Sequence, residues 1–158
     1  MKISYNWLKD FVDISWPAEK VESILTDLGL EVEGIENFES IQGQLEGIVI
    51  GKVLECTSHP NADRLKLTQV DIGKTEPVQI VCGAPNVDKN QWVPVATVGA
   101  TIYNQKGESL KIKKGKIRGE MSLGMICAED EIGIGESHDG IMVLEGEFKP
   151  GQALNTIF

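Results

Sequence analysis

The sequence predicts an α+β protein: a five-stranded antiparallel β-barrel preceded by a small helix–helix–strand segment. Three observations carry that prediction. Apolar residues recur at helical spacing up to residue 29 and at strand spacing after residue 46. Gly and Pro punctuate the second region into runs of strand length. The 158 residues are enough for one good core or two small units, and 41% hydrophobic with 25% charged residues is an ordinary globular composition.

At the N-terminus, Ser4 caps a short turn, and Trp7, Leu8, Phe11 and Val12 form an apolar stripe. Trp16-Pro17 breaks that helix, and Pro17 suits the first position of the next. There Val21, Ile24, Leu25 and Leu28 share one face, and Gly29 closes the helix as a C-terminal cap. Leu30, Val32 and Ile35 alternate with Glu31, Glu33 and Glu36, the pattern of a half-buried strand. Two short helices and a strand bury too little for a core of their own, so this segment must pack on further protein. Glu39–Glu46 reads as a linker.

Strands are expected at Gly47–Cys56, Leu65–Ile72, Val78–Cys82 and Trp92–Val98, the last continuing through Ala100–Tyr103. Between the first two, His59-Pro60-Asn61-Ala62-Asp63 is a polar turn-forming loop; Gly83-Ala84-Pro85-Asn86 is a sharp turn, and Asn104–Gly107 a hairpin turn. Ser109–Arg118 is read as the fifth strand or a pair of short ones. Five short strands over about seventy residues suit a small Greek-key barrel of the oligonucleotide-binding (OB) type. Glu120–Ile134 reads as irregular with a helical turn at Glu129–Ile132, and Ile141–Leu144 as one more short strand. The chain ends on Leu154, Ile157 and Phe158 without a polar tail, which reads as a chain interrupted before its natural C-terminus. The expected divisions are 1–39, 40–151 and 152–158.

No stretch approaches the roughly 20 apolar residues of a membrane span, and Lys9, Asp10 and Asp13 interrupt any signal-peptide core. A cytoplasmic protein with no membrane partner is the expectation. The three cysteines, Cys56, Cys82 and Cys127, sit beside apolar residues and read as buried reduced thiols; Cys56 with His59 lacks the second close pair a metal site needs. No P-loop, Gly-x-Ser-x-Gly elbow or metal-ligand spacing occurs, so neither a catalytic residue nor a metal is predicted.

The net charge of −9 argues against a general polyanion binder, and no DNA partner is expected. Its distribution is uneven. Residues 1–40 carry three Lys against nine acids, whereas residues 48–118 carry eleven Lys and Arg against six acids, before an acidic tail. A basic middle can seat a nucleic acid locally, or be the solvated face of ordinary β-hairpins. The candidate contacts are Asn61, Arg64 and Lys66 near the first turn, Asn86 and Ser122 for bases or ribose, and Lys111, Lys113, Lys114, Lys116 and Arg118 for phosphates. Lys111 and Lys113 flank Ile112 and so share a face. Trp92 in its Val-rich strand reads as core, leaving few aromatics for stacking, which favours recognition of folded RNA by shape and backbone.

Three runs, HPNADRLKLTQVDIG (59–73), IVCGAPNV (80–87) and RGEMSLGMICAEDEIGIG (118–135), resemble in order and spacing the tRNA-binding domain shared by free-standing tRNA-binding proteins, synthetase cofactors, many methionyl-tRNA synthetases and the bacterial phenylalanyl-tRNA synthetase beta subunit. MKISYNWLKDFVD, followed by a helix ending in TDLGLEVEGIE, resembles the start of the last of these families. The resemblance implies an accessory, non-catalytic tRNA-binding barrel inserted into a discontinuous first domain, to which residues 1–39 and the segment from 152 belong. It implies a parent enzyme of two alpha and two beta chains, with aminoacylation in the alpha subunit, ATP and magnesium as its cofactors, and tRNA and the alpha subunit as partners. The family's barrel positions fall on His59, Pro60, Asn61, Asp63, Arg64, Cys82, Gly83, Ala84, Asn86, Arg118, Gly119, Ser122, Gly124 and Met125. The sequence departs from the family at Glu120, where a branched apolar residue is usual, and at Leu123, where a polar one is. The alternatives are a mainly structural bracing domain of the synthetase and a free-standing tRNA-binding protein or chaperone with the same barrel.

Overall fold

The structure is a computed structural model that describes residues 1–36, 39 and 41–158. The chain forms two compact units, residues 1–38 and 39–158. The boundary expected after residue 39 falls beside Ser40, which lies outside the described residues.

The first unit holds helices α1 (Tyr5–Leu8) and α2 (Ala18–Asp27). Ser4 caps α1, its hydroxyl accepting from the Trp7 amide at 3.3 Å. Pro17 stands one residue before the position expected for it, as the N-cap of α2. At the other end Gly29 takes a φ of +89°, and the amides of Gly29 and Leu30 donate to the carbonyls of Thr26 and Leu25, a Schellman closure. The strand expected at Leu30–Ile35 is absent: these residues form no ladder and lie mostly exposed. Alternation of Leu, Val and Ile with Glu prepares a strand, but a strand needs a neighbouring strand to pair with, and the described residues supply none; the Leu30 and Val32 amides turn back to α2 instead, to the Leu25 carbonyl and the Thr26 hydroxyl.

The second unit is a nearly closed antiparallel barrel. Its strands are β1 (Ile48–His59), β2 (Ala62–Asp71), β3 (Val78–Cys82), β4 (Trp92–Thr97) and, after two small hairpins, β9 (Gly124–Ile126). Their order is β3-β2-β1-β4-β9. The gap between β9 and β3 is closed from the short link before β9: the Leu123 amide donates to the Gln79 carbonyl at 2.8 Å, and the Val81 amide to the Ser122 hydroxyl at 3.1 Å. The hairpins are β5 (Thr101–Tyr103) with β6 (Ser109–Lys111), and β7 (Gly115–Ile117) with β8 (Glu120–Ser122). Of the two expectations for Ser109–Arg118, the pair of short strands holds, as β6 and β7, and the single fifth barrel strand does not. The stretch is divided between these hairpins, and the closing strand comes from a stretch whose Gly and Met content suggested irregular chain.

The first half of β1, Ile48–Val53, and β4 are buried on both faces, which explains their near-continuous Ile and Val. Inside the barrel Val53, Val70, Ile80, Val93 and Val95 are fully buried. Gly51 belongs to this interior: a Cβ there would lie 2.7 Å from a Val70 methyl and 2.8 Å from one of Val95. A second core packs on the outer face, around Leu45, Ile50, Ile102, Ile112, Ile132 and Leu154. It orders segments that look like connectors in the sequence. Leu45 lies in a 3-10 turn (Gln42–Leu45) within the expected linker. Residues 152–158, expected to return to the N-terminal segment, join the second unit, with Leu154 fully buried and Ala153 bridged to Val49. A 3-10 turn spans Asp130–Ile132 as expected. Ile141–Leu144 forms no strand, only a bridge from Leu144 to Trp92.

Candidate nucleic-acid interface

β1 and β2 meet in a tighter hairpin than the polar loop suggests: His59 pairs with Ala62 around Pro60-Asn61. Ser58 pairs with Lys66, so Asp63, Arg64 and Leu65 bulge from the ladder. Bulges twist a strand and re-aim side chains, and this one presents Arg64 to solvent. The β7–β8 hairpin turns at Arg118-Gly119, with φ of +53° and +100°. Both central residues at positive φ is the requirement of a type I′ turn.

The basic residues from 111 to 118 form a ridge along β6, the following loop and β7. Lys111, Lys113, Lys114, Lys116 and Arg118 are all exposed, while Ile112 between the first two is buried at 6%. Among the described residues none of the five makes an ion pair. Beside the ridge lies an open groove of about 640 Å³, lined by Lys111 and Lys113, by the 81–85 turn, and by Glu131, His138 and Asp139. His138 Nδ1 lies 2.9 Å from Asp130 Oδ2, and that hydrogen bond, reinforced by the carboxylate charge, raises the imidazole pKa.

Three expected contact residues are occupied by the fold. Ser122 is buried at 5%; its hydroxyl accepts from Val81 and donates to the Gly124 carbonyl at 3.0 Å. Asn86 directs its amide at both backbone groups of Ile141. The Lys66 ammonium donates to the carbonyls of Pro85 at 3.1 Å and Val87 at 2.7 Å, securing the β3–β4 loop. Asn61 is exposed and brought to the ridge, its Nδ2 lying 3.5 Å from the Arg118 carbonyl oxygen. Sequence reasoning missed Gln79, whose amide donates to the Met121 carbonyl and the Glu120 carboxylate and so ties the β7–β8 hairpin to β3. It also missed the apolar contribution of Leu110 and Ile117, exposed among the lysines. Trp92, expected as core, is half-buried, packed edge-on against Phe148, with the Lys52 ammonium 4.9 Å above its ring.

All three thiols are free. Burial pushes the Cys127 thiol up to about 12 and raises those of Cys82 and Cys56, so none is poised as a nucleophile. Among the described residues no group of three or more His, Cys, Asp or Glu is placed to hold a metal, and no helix is long and apolar enough to cross a membrane.

Residues 48–153, from the start of β1 to the residue bridging back to it, match the family described as "Putative tRNA binding domain". The chain belongs to the tRNA-binding domain family. The ridge and both hairpin tips lie inside the matched tRNA-binding domain. Over 151 residues the chain is 56% identical to a phenylalanine–tRNA ligase beta subunit of Bacteroides fragilis, covering 96% of this chain and 18% of that protein. It is 50% identical over 155 residues to the corresponding subunit of Chlorobaculum tepidum, covering 98% and 19%. The chain thus spans under a fifth of these relatives' length. A MetRS related protein from Pyrococcus horikoshii shares the fold, with a TM-score of 0.52 at 17% identity over 76% of this chain and 99% of that one.

Proposed function

We propose that the chain is the non-catalytic tRNA-binding module of a bacterial-type phenylalanine–tRNA ligase beta subunit, and that it holds tRNA through phosphates. The observation that carries this reading is the ridge. Five cations crowded within residues 111–118 without a carboxylate partner among the described residues repel one another, and a polyanion relieves that repulsion. The acidic remainder of the chain confines the attraction to this face. In this reading the parent enzyme is a cytoplasmic assembly of two alpha and two beta chains that attaches phenylalanine to its tRNA with ATP and magnesium. In this reading ATP and magnesium serve the parent enzyme's active site and not this module. No catalytic step is assigned to it.

The test is tRNA binding by the chain across a salt series. The double charge reversal Lys113→Glu, Lys114→Glu is expected to weaken binding and to lower the slope of log K against log salt by roughly 1.4–1.8, two contacts' worth. Unchanged affinity and slope would remove the ridge from the interface.

A second reading, structural bracing, draws on the first unit, where Trp7, Phe11, Trp16, Leu28, Leu30 and Ile35 stay exposed. Apolar side chains in this number ask to be covered by further protein. Excising the barrel from the whole beta subunit discriminates: an assembly defect with normal tRNA affinity supports bracing.

A further inference from the structure

Two hairpins that share no strand pairing, β1–β2 and β7–β8, meet at their tips. His59, only 5% exposed, spans them. Its Nδ1 accepts the Asn61 amide at 3.0 Å, which leaves the ring proton on Nε2, 3.1 Å from the Ile117 carbonyl oxygen it donates to. Asn61 adds its longer bond to the next carbonyl, that of Arg118. The strands of β7–β8 are three residues each and pair with no other strand, so the hairpin takes its position from such ties. Gln79 holds it near the base, and His59 and Asn61 hold the tip.

Arg118 is an odd choice for this turn. Its φ of +53° lies in the left-handed region, which Gly and Asn enter easily and arginine does not. Folding asks for Asn or Gly here. A strained backbone fixed by neighbouring hydrogen bonds points to a side chain wanted for another purpose. That side chain is exposed, ends the lysine ridge, and forms no ion pair among the described residues.

We infer that His59 and Asn61 are positioning residues for Arg118: they fix the β7–β8 tip so that the guanidinium meets an RNA phosphate at a set place and angle. The inference rests on the reading of the ridge as an RNA-binding surface. A planar fork that binds phosphate through two parallel hydrogen bonds benefits from a fixed backbone in a way that a lysine point charge does not.

A double-mutant cycle on the 158-residue chain tests this, with tRNA affinity measured over a salt series and thermal unfolding recorded for each variant. Arg118→Gly removes the guanidinium and relieves the turn. It should leave the melting temperature unchanged or higher while weakening tRNA binding about tenfold and lowering the salt slope by about one. Arg118→Lys should keep the slope and lose part of the affinity. His59→Gln should weaken binding in the parent chain and add nothing to Arg118→Gly, because non-additivity marks a residue that acts through another. If His59→Gln unfolds the chain, Asn61→Ala at an exposed position carries the same cycle. Additive losses, or an Arg118→Gly variant that binds as well as the parent, overturn the inference alone. Absence of tRNA binding by the unmodified chain at every salt concentration overturns it together with the proposed function.

Discussion

Asn86 and Ile141, 55 residues apart, are joined by two hydrogen bonds: Asn86 Nδ2 donates to the Ile141 carbonyl, and the Ile141 amide donates to Asn86 Oδ1, each at 2.9 Å. The side-chain amide thereby pairs with a peptide as a neighbouring strand would. The fit extends to Gly140, where any Cβ would collide with the Asn86 side chain. This clasp fixes the 139–141 segment, which lines the groove, against the β3–β4 loop.

Replacing Asn86 by Ala breaks both bonds and leaves the partly buried groups of Ile141 to find water. Destabilisation of about 1–3 kcal/mol is expected, read from urea unfolding, with tRNA affinity unchanged while the chain is folded. Asn86→Asp keeps the acceptor and loses the donor, and should fall between the two. A loss of tRNA affinity without loss of stability would return Asn86 to the interface.

Ser122→Ala removes the acceptor of the Val81 amide where the barrel closes. The site is buried, so a cost of about 1–3 kcal/mol is expected, and the salt slope of tRNA binding should not move. Differential scanning calorimetry with a parallel binding series checks both halves.

The His138–Asp130 pair gives stability a pH dependence. Pairing raises the histidine above its ordinary value of 6.5. Its contribution is fully present below that value and is lost as pH rises through the folded-state pKa. The stability difference between the parent and Asp130→Asn should therefore be larger at pH 6 than at pH 9. The side chain of His138 is 77% exposed, so the difference is small, and added salt should reduce it further. Equal urea midpoint differences at the two pH values would dismiss the pair.

Strands β1 to β4 were legible in the sequence because their Ile and Val runs are bounded by Gly, Pro, Asn and Asp. β9 was not, because three residues beginning with Gly carry no periodicity; the register of Val95 with Ile126 makes it a strand. At 109–118 the two short strands were legible but their place outside the barrel ladder was not, for a related reason. Alternation reports that Ile112 is buried, and it does not say in which of two cores or beside which partner. In the interface, the exposure of the lysines could be read directly. The internal use of Lys66, Ser122 and Asn86 could not, since each has a backbone partner far off in the chain, 19, 41 and 55 residues away.

β4 and β9 are hydrogen-bonded neighbours, yet residues 98–123, with the whole basic ridge, lie between them in the chain. The barrel's ladder would be complete with a short turn in that place. Only a few side chains, chiefly Ile102, Ile112 and Ser122, root this excursion in the interior. Its length and charge can therefore change without disturbing the barrel's ladder, so the scaffold and the charged arm it carries are separable.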